Sequence, residues 1–401
     1  MSMFLYKLKD ETGRVFWGVV EARDKKEVKR KFRSTEYFLI GVESYSKKKL
    51  SQMRLPLDAL VIFTHRFYSL IEAGLPILSA LNILWRQSES HDVQIITSHI
   101  RKCLEDGSNL GEAINEFPLV FPVMYRALIS VAEEGAGLVP ILAKISEYLE
   151  DQKAFIARAK KAVLYPSLVL VFAVLVLLGM FLFVVPTFQK VLEKLHVKLP
   201  FFTQLIFHIS EVLRSGYFYL FLGLVVGGGI VVYKKFRTNR HFRLWMDDFK
   251  LRVPYFRNIF YMLSMSRFVR SLSLLIGAGI SIIVSLDTAK TTVVNQKIEQ
   301  AVDEIRKQVI EGISLYPAFK STKMFPLMLV EMIGIGETSG SLAKLLTKSA
   351  VHFDEEVDYY INKFLTYLEP LLIILVGGIV GIILLGIYLP IFSLWVGLSN
   401  L

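Results

Sequence analysis

Long stretches without a charged side chain dominate the pattern of apolar and polar positions along this chain. Residues 163–185, 217–233 and 371–395 each lack Asp, Glu, Lys and Arg. At about 1.5 Å per residue, helices of about 23 and 25 residues cross a hydrocarbon core of about 30 Å, and about 17 residues lie at the lower limit. The pattern therefore predicts three transmembrane helices.

Apolar residues elsewhere recur at helical spacing, and Gly and Pro interrupt them at short intervals. Phe63, Phe67 and Leu70, for example, fall on one stripe of a helix. Short helices joined by tight turns are typical of a compact antiparallel bundle. We expect one cytoplasmic bundle over 57–162 and a second over 260–368, with no strand in either.

The amino-terminal residues, 1–50, follow a different pattern. Apolar and polar residues alternate in 4–8 and again in 15–19, with a Gly-containing turn between them, which predicts a β-hairpin. A basic helix over 22–32 and a third strand over 37–42 are expected to follow. This part of the chain should therefore form a small α+β module.

The second half of the chain repeats the first. From Phe63 onward, residues recur 205 positions later, and after one deleted residue the match continues at an offset of 204. The matched pairs include Phe63/Phe268, Leu70/Leu275, Ile71/Ile276, Ala73/Ala278, Gly74/Gly279, Gly107/Gly312, Leu110/Leu315, Phe121/Phe325, Glu133/Glu337 and Leu138/Leu342. So many matches with a single gap indicate an internal duplication.

The duplication extends to the prolines of the predicted spans. Pro166 and Pro186 match Pro370 and Pro390 at the same offset. Each copy is therefore expected to be a helical bundle that runs into a transmembrane helix, with both copies in the same orientation. The middle span has no counterpart and returns the chain to the cytoplasm after an extracytoplasmic loop over 186–216. The predicted fold is mainly α.

Basic residues flank the three spans unequally. Lys and Arg cluster just before the first span and just after the second, but none follows the third. The positive-inside bias therefore predicts a multi-pass inner-membrane protein with a cytoplasmic amino terminus and an extracytoplasmic carboxyl terminus. Attraction of these clusters to anionic headgroups accounts for much of the net charge of +11, so nucleic-acid binding is not expected.

Residues with catalytic or metal-binding chemistry are sparse. Cys103 is the single cysteine, and the seven histidines have no His-x-x-x-His spacing. The segment 334–341 looks like a phosphate loop, but it lacks the Lys and places Glu337 where a phosphate would be repelled. We therefore expect no catalytic residue, no cofactor, no metal and no enzyme activity.

Two other classes of function stay open as alternatives. A transporter or channel subunit is the first, although the spans lack the ionisable residues that line ion pathways. A membrane enzyme is the second, and it would require turnover to depend on Glu133 or Glu337.

The whole pattern resembles the type II secretion system F family. The residues that carry the resemblance are Tyr6, Asp10, Gly13, Gly18 and Ala22, the Leu-Ile-x-Ala-Gly-x-x-Ile turns at 70–77 and 275–282, the motif at 336–342, Tyr165-Pro166, Pro186-Thr187-Phe188 and Leu199-Pro200-x-x-Thr203. The resemblance covers nearly the whole chain. It implies a non-enzymatic inner-membrane platform protein of a type II secretion or type IV pilus machine.

The same resemblance implies partners. They are a cytoplasmic secretion or pilus ATPase, inner-membrane assembly proteins, pilin or pseudopilin subunits, the lipid bilayer and further copies of the chain in a homo-oligomer. Some members of the family hold calcium between soluble domains, but this sequence offers no acidic ligand set for it.

The Gly336-Glu337-Thr338-Ser339-Gly340-Ser341-Leu342 motif permits two interpretations. One is a helix–turn–helix junction with Glu337 near the positive start of the next helix; the other is an interface with a partner or a second copy. The first-copy counterpart, 132–138, keeps the Glu and the Leu but is otherwise degenerate. The interface candidates are Gly74, Gly279, Glu133, Gly336, Glu337, Ser339, Gly340 and Leu342.

Small residues in the spans suggest close helix packing. Gly223-x-x-x-Gly227 and Gly377-x-x-x-Gly381 each place two glycines on one helix face, where a second helix can approach. The candidate membrane-helix residues are these four glycines with Pro166, Pro370, Pro186 and Pro390.

Overall fold

The computed structural model describes residues 2–33, 37–194, 200–216, 254–293 and 295–399, together with positions 220, 223, 224, 227–229 and 232. Two compact units divide the chain. Unit one comprises Met1–Ala157 and Tyr261–Glu355, and unit two comprises Arg158–Phe260 and Glu356–Leu401.

The amino-terminal module of unit one is a three-stranded antiparallel sheet with one helix. Its strands are β1 (Ser2–Lys9), β2 (Val15–Ala22) and β3 (Phe38–Tyr45), in the order β2-β1-β3. Helix α1 (Lys25–Lys31) connects β2 to β3, and the Asp24 carboxylate caps it by accepting a hydrogen bond from the amide of Glu27. The predicted hairpin, helix and third strand are confirmed.

The two faces of the sheet pack against different partners. Met3 and Leu5 belong to the core of the helical bundles, whereas Phe4, Tyr6 and Leu8 belong to a second cluster that includes Val28 of α1 and Trp85 of the first bundle. Alternation along β1 therefore buries both faces, because successive side chains of a strand point in opposite directions.

Two matching series of helices follow the module. After α2 (Lys47–Ser51), the first series is α3 (Leu57–Glu72), α4 (Ile77–Gln87), α5 (His91–Glu105), α6 (Leu110–Asn115), α7 (Val123–Val131) and α8 (Leu138–Gly179). After α9 (Val185–Lys194) and α10 (Phe201–Arg214), the second series is α11 (Pro254–Gly277), α12 (Ile282–Ala289), α13 (Gln296–Ile310), α14 (Leu315–Thr322), α15 (Leu327–Ser339) and α16 (Leu342–Ser399). From α4 onward, each helix begins 205 or 204 residues before its counterpart. The predicted mainly α fold with two repeated bundles is confirmed.

Both series contribute to one hydrophobic core in unit one. Phe63 and Phe121 from the first series and Phe268 and Phe325 from the second belong to a single cluster of buried side chains. Phe121 and Phe268 are completely buried. The two bundles therefore bury their apolar faces together, because neither could shield this surface from water alone.

Three helical segments are long and apolar enough to cross a membrane: Leu138–Lys194, Arg257–Gly277 and Leu342–Tyr388. The first contains the predicted span 163–185, and the third contains most of the predicted span 371–395. Arg257–Gly277 lies within α11 and is half-buried inside the protein, as suits a core helix of the second bundle. Most of the predicted middle span, 217–233, lies outside the described residues.

The segment predicted as an extracytoplasmic loop contains two helices, α9 and α10. Val185 and Leu192 of α9 and Ile206 and Phe207 of α10 pack with Ile383 of α16 in a separate apolar cluster of unit two. A π-helical turn, Met180–Val184, precedes α9. There the Ser210 hydroxyl donates to the Phe181 carbonyl at 2.6 Å, which satisfies a carbonyl in the irregular turn.

Candidate functional site

Two glutamates occupy equivalent positions and cap equivalent helices. The Glu133 carboxylate accepts hydrogen bonds from the amides of Leu110 at 2.5 Å and Gly111 at 2.8 Å, at the start of α6. The Glu337 carboxylate accepts from the amides of Leu315 at 2.7 Å and Tyr316 at 3.1 Å, at the start of α14. Each carboxylate thereby satisfies two amides that have no partner within the helix, at its positive end.

Each of these glutamates therefore acts on the preceding helix. Glu337 lies near the end of α15, so the expectation that it sits at the start of the next helix is wrong, and the helix it caps is α14. Helix pairs α6–α7 and α14–α15 pack against each other, which brings the two ends together. Local sequence could not show this, because Glu337 and Leu315 are far apart along the chain.

The turn after Glu337 brings the end of α15 close to the start of α16. A Cβ added at Gly336 would lie 2.8 Å from the Cα of Leu342, and Gly340 has a φ of +66°. The Ser341 amide donates to the Gly336 carbonyl at 3.0 Å, which closes the end of α15. In the first copy a π-helical turn, Ala132–Ala136, replaces this closure. The carboxylate cap is common to both copies, whereas the turn beside it differs.

Gly74 and Gly279 end equivalent helices in the same way. Their φ angles are +82° and +86°, and a Cβ at either would meet no atom of the described residues within 4 Å. The following amides, of Leu75 and Ile280, donate to the carbonyls of Leu70 and Leu275. Their backbone conformation explains these two glycines as helix caps.

A charged bridge connects the two copies within unit one. The Arg270 guanidinium donates to the Asp354 carboxylate and, at 2.5 Å, to the Asp151 carboxylate, so α11 contacts both long helices. The counterpart in the first copy is His65, whose Nδ1 lies 3.0 Å from the carboxylate of Glu150. The Arg270 and Asp354 side chains are each 25% exposed, whereas His65 and Glu150 are more than half exposed.

The module docks on one face of the first bundle. Strand β2 lies at the edge of the sheet, and its amides at Trp17 and Val19 donate to the Gln94 side chain at 2.9 Å and to the Ser98 hydroxyl at 3.1 Å. The Trp85 indole donates to the Trp17 carbonyl at 2.7 Å. Helix α5 therefore covers the edge strand and satisfies its unpaired groups.

Gly18 and Tyr6 lie in the same contact between the module and α5. A Cβ at Gly18 would lie 2.3 Å from the Tyr6 hydroxyl and 2.9 Å from the Ser98 hydroxyl, so a side chain there would separate the strand from α5. Burial raises the pKa of Tyr6 to about 12.

The same face of the second bundle carries charged residues. The counterparts of Trp85, Gln94 and Ser98 are Lys290, Glu299 and Asp303. The Lys290 ammonium group lies 2.6 Å from Asp287 and 2.9 Å from Asp303. Hydrogen bonding from Lys290 lowers the pKa of Asp287.

One cluster of metal-binding side chains was not predicted. His99 Nε2 lies 2.7 Å from the Glu116 carboxylate and 3.5 Å from Cys103 Sγ. Burial, with the nearby carboxylates of Glu116 and Asp106, raises the pKa of the Cys103 thiol to about 11. The spacing of His99 and Cys103, four apart on a helix, was the available sequence signal.

Calcium, which some members of the resembled family hold between soluble domains, does not fit this cluster. Calcium takes oxygen ligands, whereas two of these three donors are nitrogen and sulfur. Among the residues that the structure describes, no other group of three or more His, Cys, Asp or Glu side chains has this geometry.

A groove of about 390 Å³ lies between α8 and α16 in unit two. Tyr165 and Glu369 occupy equivalent positions in the two copies, and the Tyr165 hydroxyl donates to the Glu369 carboxylate at 3.3 Å. Pro166 lines the groove beside Tyr165, and Pro370 follows Glu369 in α16. Tyr165 and Glu369, which occupy the same position at the start of the two apolar segments, therefore form a contact between the copies.

Among the described glycines of unit two, the one packed most tightly against another helix is Gly386, which was not predicted. A Cβ at Gly386 would lie 2.2 Å from Cδ1 of Ile206, and the buried Thr203 hydroxyl donates to the Gly386 carbonyl at 2.7 Å. Of the predicted positions, Gly377 and Gly381 lie in α16, and Gly223 and Gly227 are helical. A Cβ at any of these four would meet no described atom within 4 Å. Pro186 lies in α9, and Pro390 in α16.

Comparison with protein families gives a match in each copy. A model described as type II secretion system (T2SS), protein F, matches residues 63–186 and 268–390. Each match begins in the first helix of a bundle and ends at the last of the prolines paired between the copies, Pro186 or Pro390.

Curated proteins similar to this chain come from pilus and secretion systems. A type IV pilus assembly protein PilC of Myxococcus xanthus is 31% identical over 98% of this chain and 95% of its own length. A protein of the same name from Thermus thermophilus is 31% identical over 98% of each chain. A type II secretion system protein F of Pseudomonas aeruginosa is 28% identical over 98% of this chain and 99% of its own length.

Proposed function

This chain belongs to the type II secretion system (T2SS) protein F family, and we propose that it couples a cytoplasmic assembly ATPase to polymerisation of pilin or pseudopilin subunits. The resemblance found from sequence motifs is confirmed. The chain is a multi-pass inner-membrane protein of the platform type. In the proposed role it catalyses no reaction itself.

The observation that carries this proposal is the continuity of the long helices. Helix α8 runs from Leu138 to Gly179 and α16 from Leu342 to Ser399, so each bundle is joined to an apolar membrane segment without an intervening loop. A helix transmits displacement along its axis because its backbone hydrogen bonds resist local bending, and Pro166 and Pro370 each remove one of these bonds at the start of the apolar segment. Movement of the bundles by an ATPase would thus reach the membrane segments directly.

The proposed partners are the assembly ATPase, inner-membrane assembly proteins, pilin-like subunits, lipid and further copies of this chain. The proposed interface lies at the turn after Glu337, near Ser339, Gly340 and Leu342. On the adjacent helix, Ile335 is 54% exposed and lies one turn before Ser339, which provides an apolar anchor beside polar groups.

A photo-crosslinking amino acid at Ile335 tests this interface. We expect an adduct with a partner or a second copy, and much less adduct from the equivalent position in the first copy, Val131, which is only partly exposed. Equal labelling from both positions, or none from position 335, would reject the interface.

The proposed topology places both bundles in the cytoplasm and the carboxyl terminus outside. A phosphatase fused after Leu401 should be active and a fluorescent protein at the same place dark, because the first folds outside the cytoplasm and the second inside it. The reverse pattern would refute this orientation.

Gene deletion with complementation tests the function. Without the gene, the cell should lose surface filaments or type II secretion while the ATPase keeps its level, and the ATPase should co-purify with the full-length protein. Normal assembly in the deletion strain would refute the proposal. The alternative, a transporter or channel subunit, predicts solute flux across liposomes that contain the purified protein.

A further inference from the structure

The cluster of His99, Cys103 and Glu116 joins two helices of the first bundle. His99 and Cys103 lie one turn apart on α5, and Glu116 ends α6. Their ligand atoms all lie within 4.8 Å of one another. His99 is almost completely buried, at 5% exposed, so its imidazole is held in place by packing.

Imidazole, thiolate and carboxylate are together the donor set of zinc sites, and some zinc sites have three protein ligands with a water molecule in the fourth position. A cavity of about 160 Å³ adjoins all three side chains and extends to Val19 and Glu21 of β2. This volume is large enough for a water molecule as fourth ligand. We propose that His99, Cys103 and Glu116 bind one Zn²⁺ ion.

The second copy shows that the fold does not need these residues at this place. The equivalent residues are Glu304, Gln308 and Ser321, and Gln308 bridges the other two through hydrogen bonds of 3.3 Å and 3.2 Å. A neutral side chain therefore links the same two helices there. The first copy replaces this link with three side chains that can each bind a transition metal.

Metal binding requires a change in the protonation of two groups, the Cys103 thiol and the His99 imidazole. The Sγ–H bond of Cys103 breaks, its proton goes to solvent, and the thiolate electron pair bonds Zn²⁺. The Nε2 proton of His99, which is donated to the Glu116 carboxylate in the metal-free protein, moves through solvent to Nδ1, so the Nε2 lone pair can bond the metal. Among neighbouring cations, Lys102 is paired with Asp106, while Lys47 borders the cavity. Bound Zn²⁺ would tie α5 to α6 under the docked module.

The test uses the full-length protein in detergent, with Co²⁺ alone and then Zn²⁺ alone. We expect one Co²⁺ per chain with a sulfur-to-cobalt charge-transfer absorption, which Zn²⁺ abolishes by displacement. Zn²⁺ should also slow alkylation of Cys103, because the thiolate that reacts is then bonded to the metal. Because Cys103 is the single cysteine, all thiol reactivity reports on this site.

Matched variants separate binding from folding. Cys103→Ser and Glu116→Gln keep polar side chains of similar size, and each should weaken Zn²⁺ binding at least about tenfold. Glu304→Gln, at the equivalent place in the second copy, should bind as the unchanged protein does. Circular dichroism confirms that each variant is folded. Absence of the charge-transfer band, or equal Zn²⁺ retention by the unchanged protein and both first-copy variants, would overturn the proposal.

Discussion

The two copies of the bundle are alike in their helix caps and buried contacts and differ on one face. Both end equivalent helices with Gly74 or Gly279, and both use a glutamate to cap a helix from a distant position. On the face formed by α5, however, the first copy carries Gln94 and Ser98, which bind the module. The second copy carries ion-paired side chains on the equivalent α13 face.

This difference shows where a duplicated fold can diverge. Helix caps and core contacts depend on the geometry that both copies share, so changing them destabilises either bundle. A surface face has no such requirement, and it can either bind another domain or stay charged in water. The docking of the module therefore distinguishes the copies more than the degenerate turn at 132–138 does.

The largest effect is expected from the shared core. Phe121→Ala and Phe325→Ala should each lower the free energy of unfolding by about 3–5 kcal/mol, because each leaves a cavity in the same cluster. Denaturant unfolding of the purified protein measures this, with Phe38→Ala, at a side chain 66% exposed, as the control. If either core substitution left the other bundle's protease resistance unchanged, the two bundles would be independent.

The module should make stability depend on alkaline pH. The pKa of Tyr6 is raised to about 12 in the folded protein, against about 10 when unfolded. Its contribution is therefore complete below pH 10 and is lost as the pH rises from 10 to 12, by roughly 2–3 kcal/mol.

Tyr6→Phe should remove this part of the pH dependence, as measured by melting temperature against pH. Tyr359→Phe, at a side chain 55% exposed, should leave it unchanged. Identical alkaline profiles for Tyr6→Phe and the unchanged protein would contradict the prediction.

Removing Arg270 of the charged bridge should lower the stability more than removing its first-copy counterpart, His65. Arg270→Leu leaves Asp354 and Asp151 without their cation and should cost about 1–3 kcal/mol, because the Arg270–Asp354 pair is partly buried. His65→Leu should cost less than about 1 kcal/mol, because the His65–Glu150 pair is exposed. Thermal unfolding compares the two, and an equal loss from both would show that exposure does not set the strength of these pairs.

Among the features that both copies share, the caps are expected to give the smallest effect. Glu133→Ala and Glu337→Ala should each cost about 1 kcal/mol, since each leaves two helix-terminal amides to water. The double variant should show additive losses in denaturant unfolding, because the two sites share no partner. A large loss from Glu337→Ala alone would mean that the complete motif adds stability beyond the cap.

Much of the fold followed from the sequence, because the signals were local or periodic. Uncharged stretches identified the apolar segments of α8 and α16, alternation identified β1 and β2, and matched residues identified the repeat. The contacts of the candidate site were harder to predict from the sequence. Sequence could not place Glu337 at the start of α14 or bring Glu116 to His99, since both contacts join residues far apart in the chain. Gly386 was missed because its packing partner, Ile206, lies in a segment predicted to be a loop.

In the proposed mechanism, the bundles act on the membrane through continuous helices. Three glycines inserted between Asn362 and Lys363 would interrupt α16 before its apolar segment, and the same insertion after Gly312, in an exposed turn, is the control. Filament assembly or type II secretion is measured in the complemented deletion strain.

We expect the α16 insertion to leave the protein in the membrane and bound to the ATPase but to abolish assembly, while the control insertion supports assembly. Normal assembly with the interrupted α16 would contradict this mechanism.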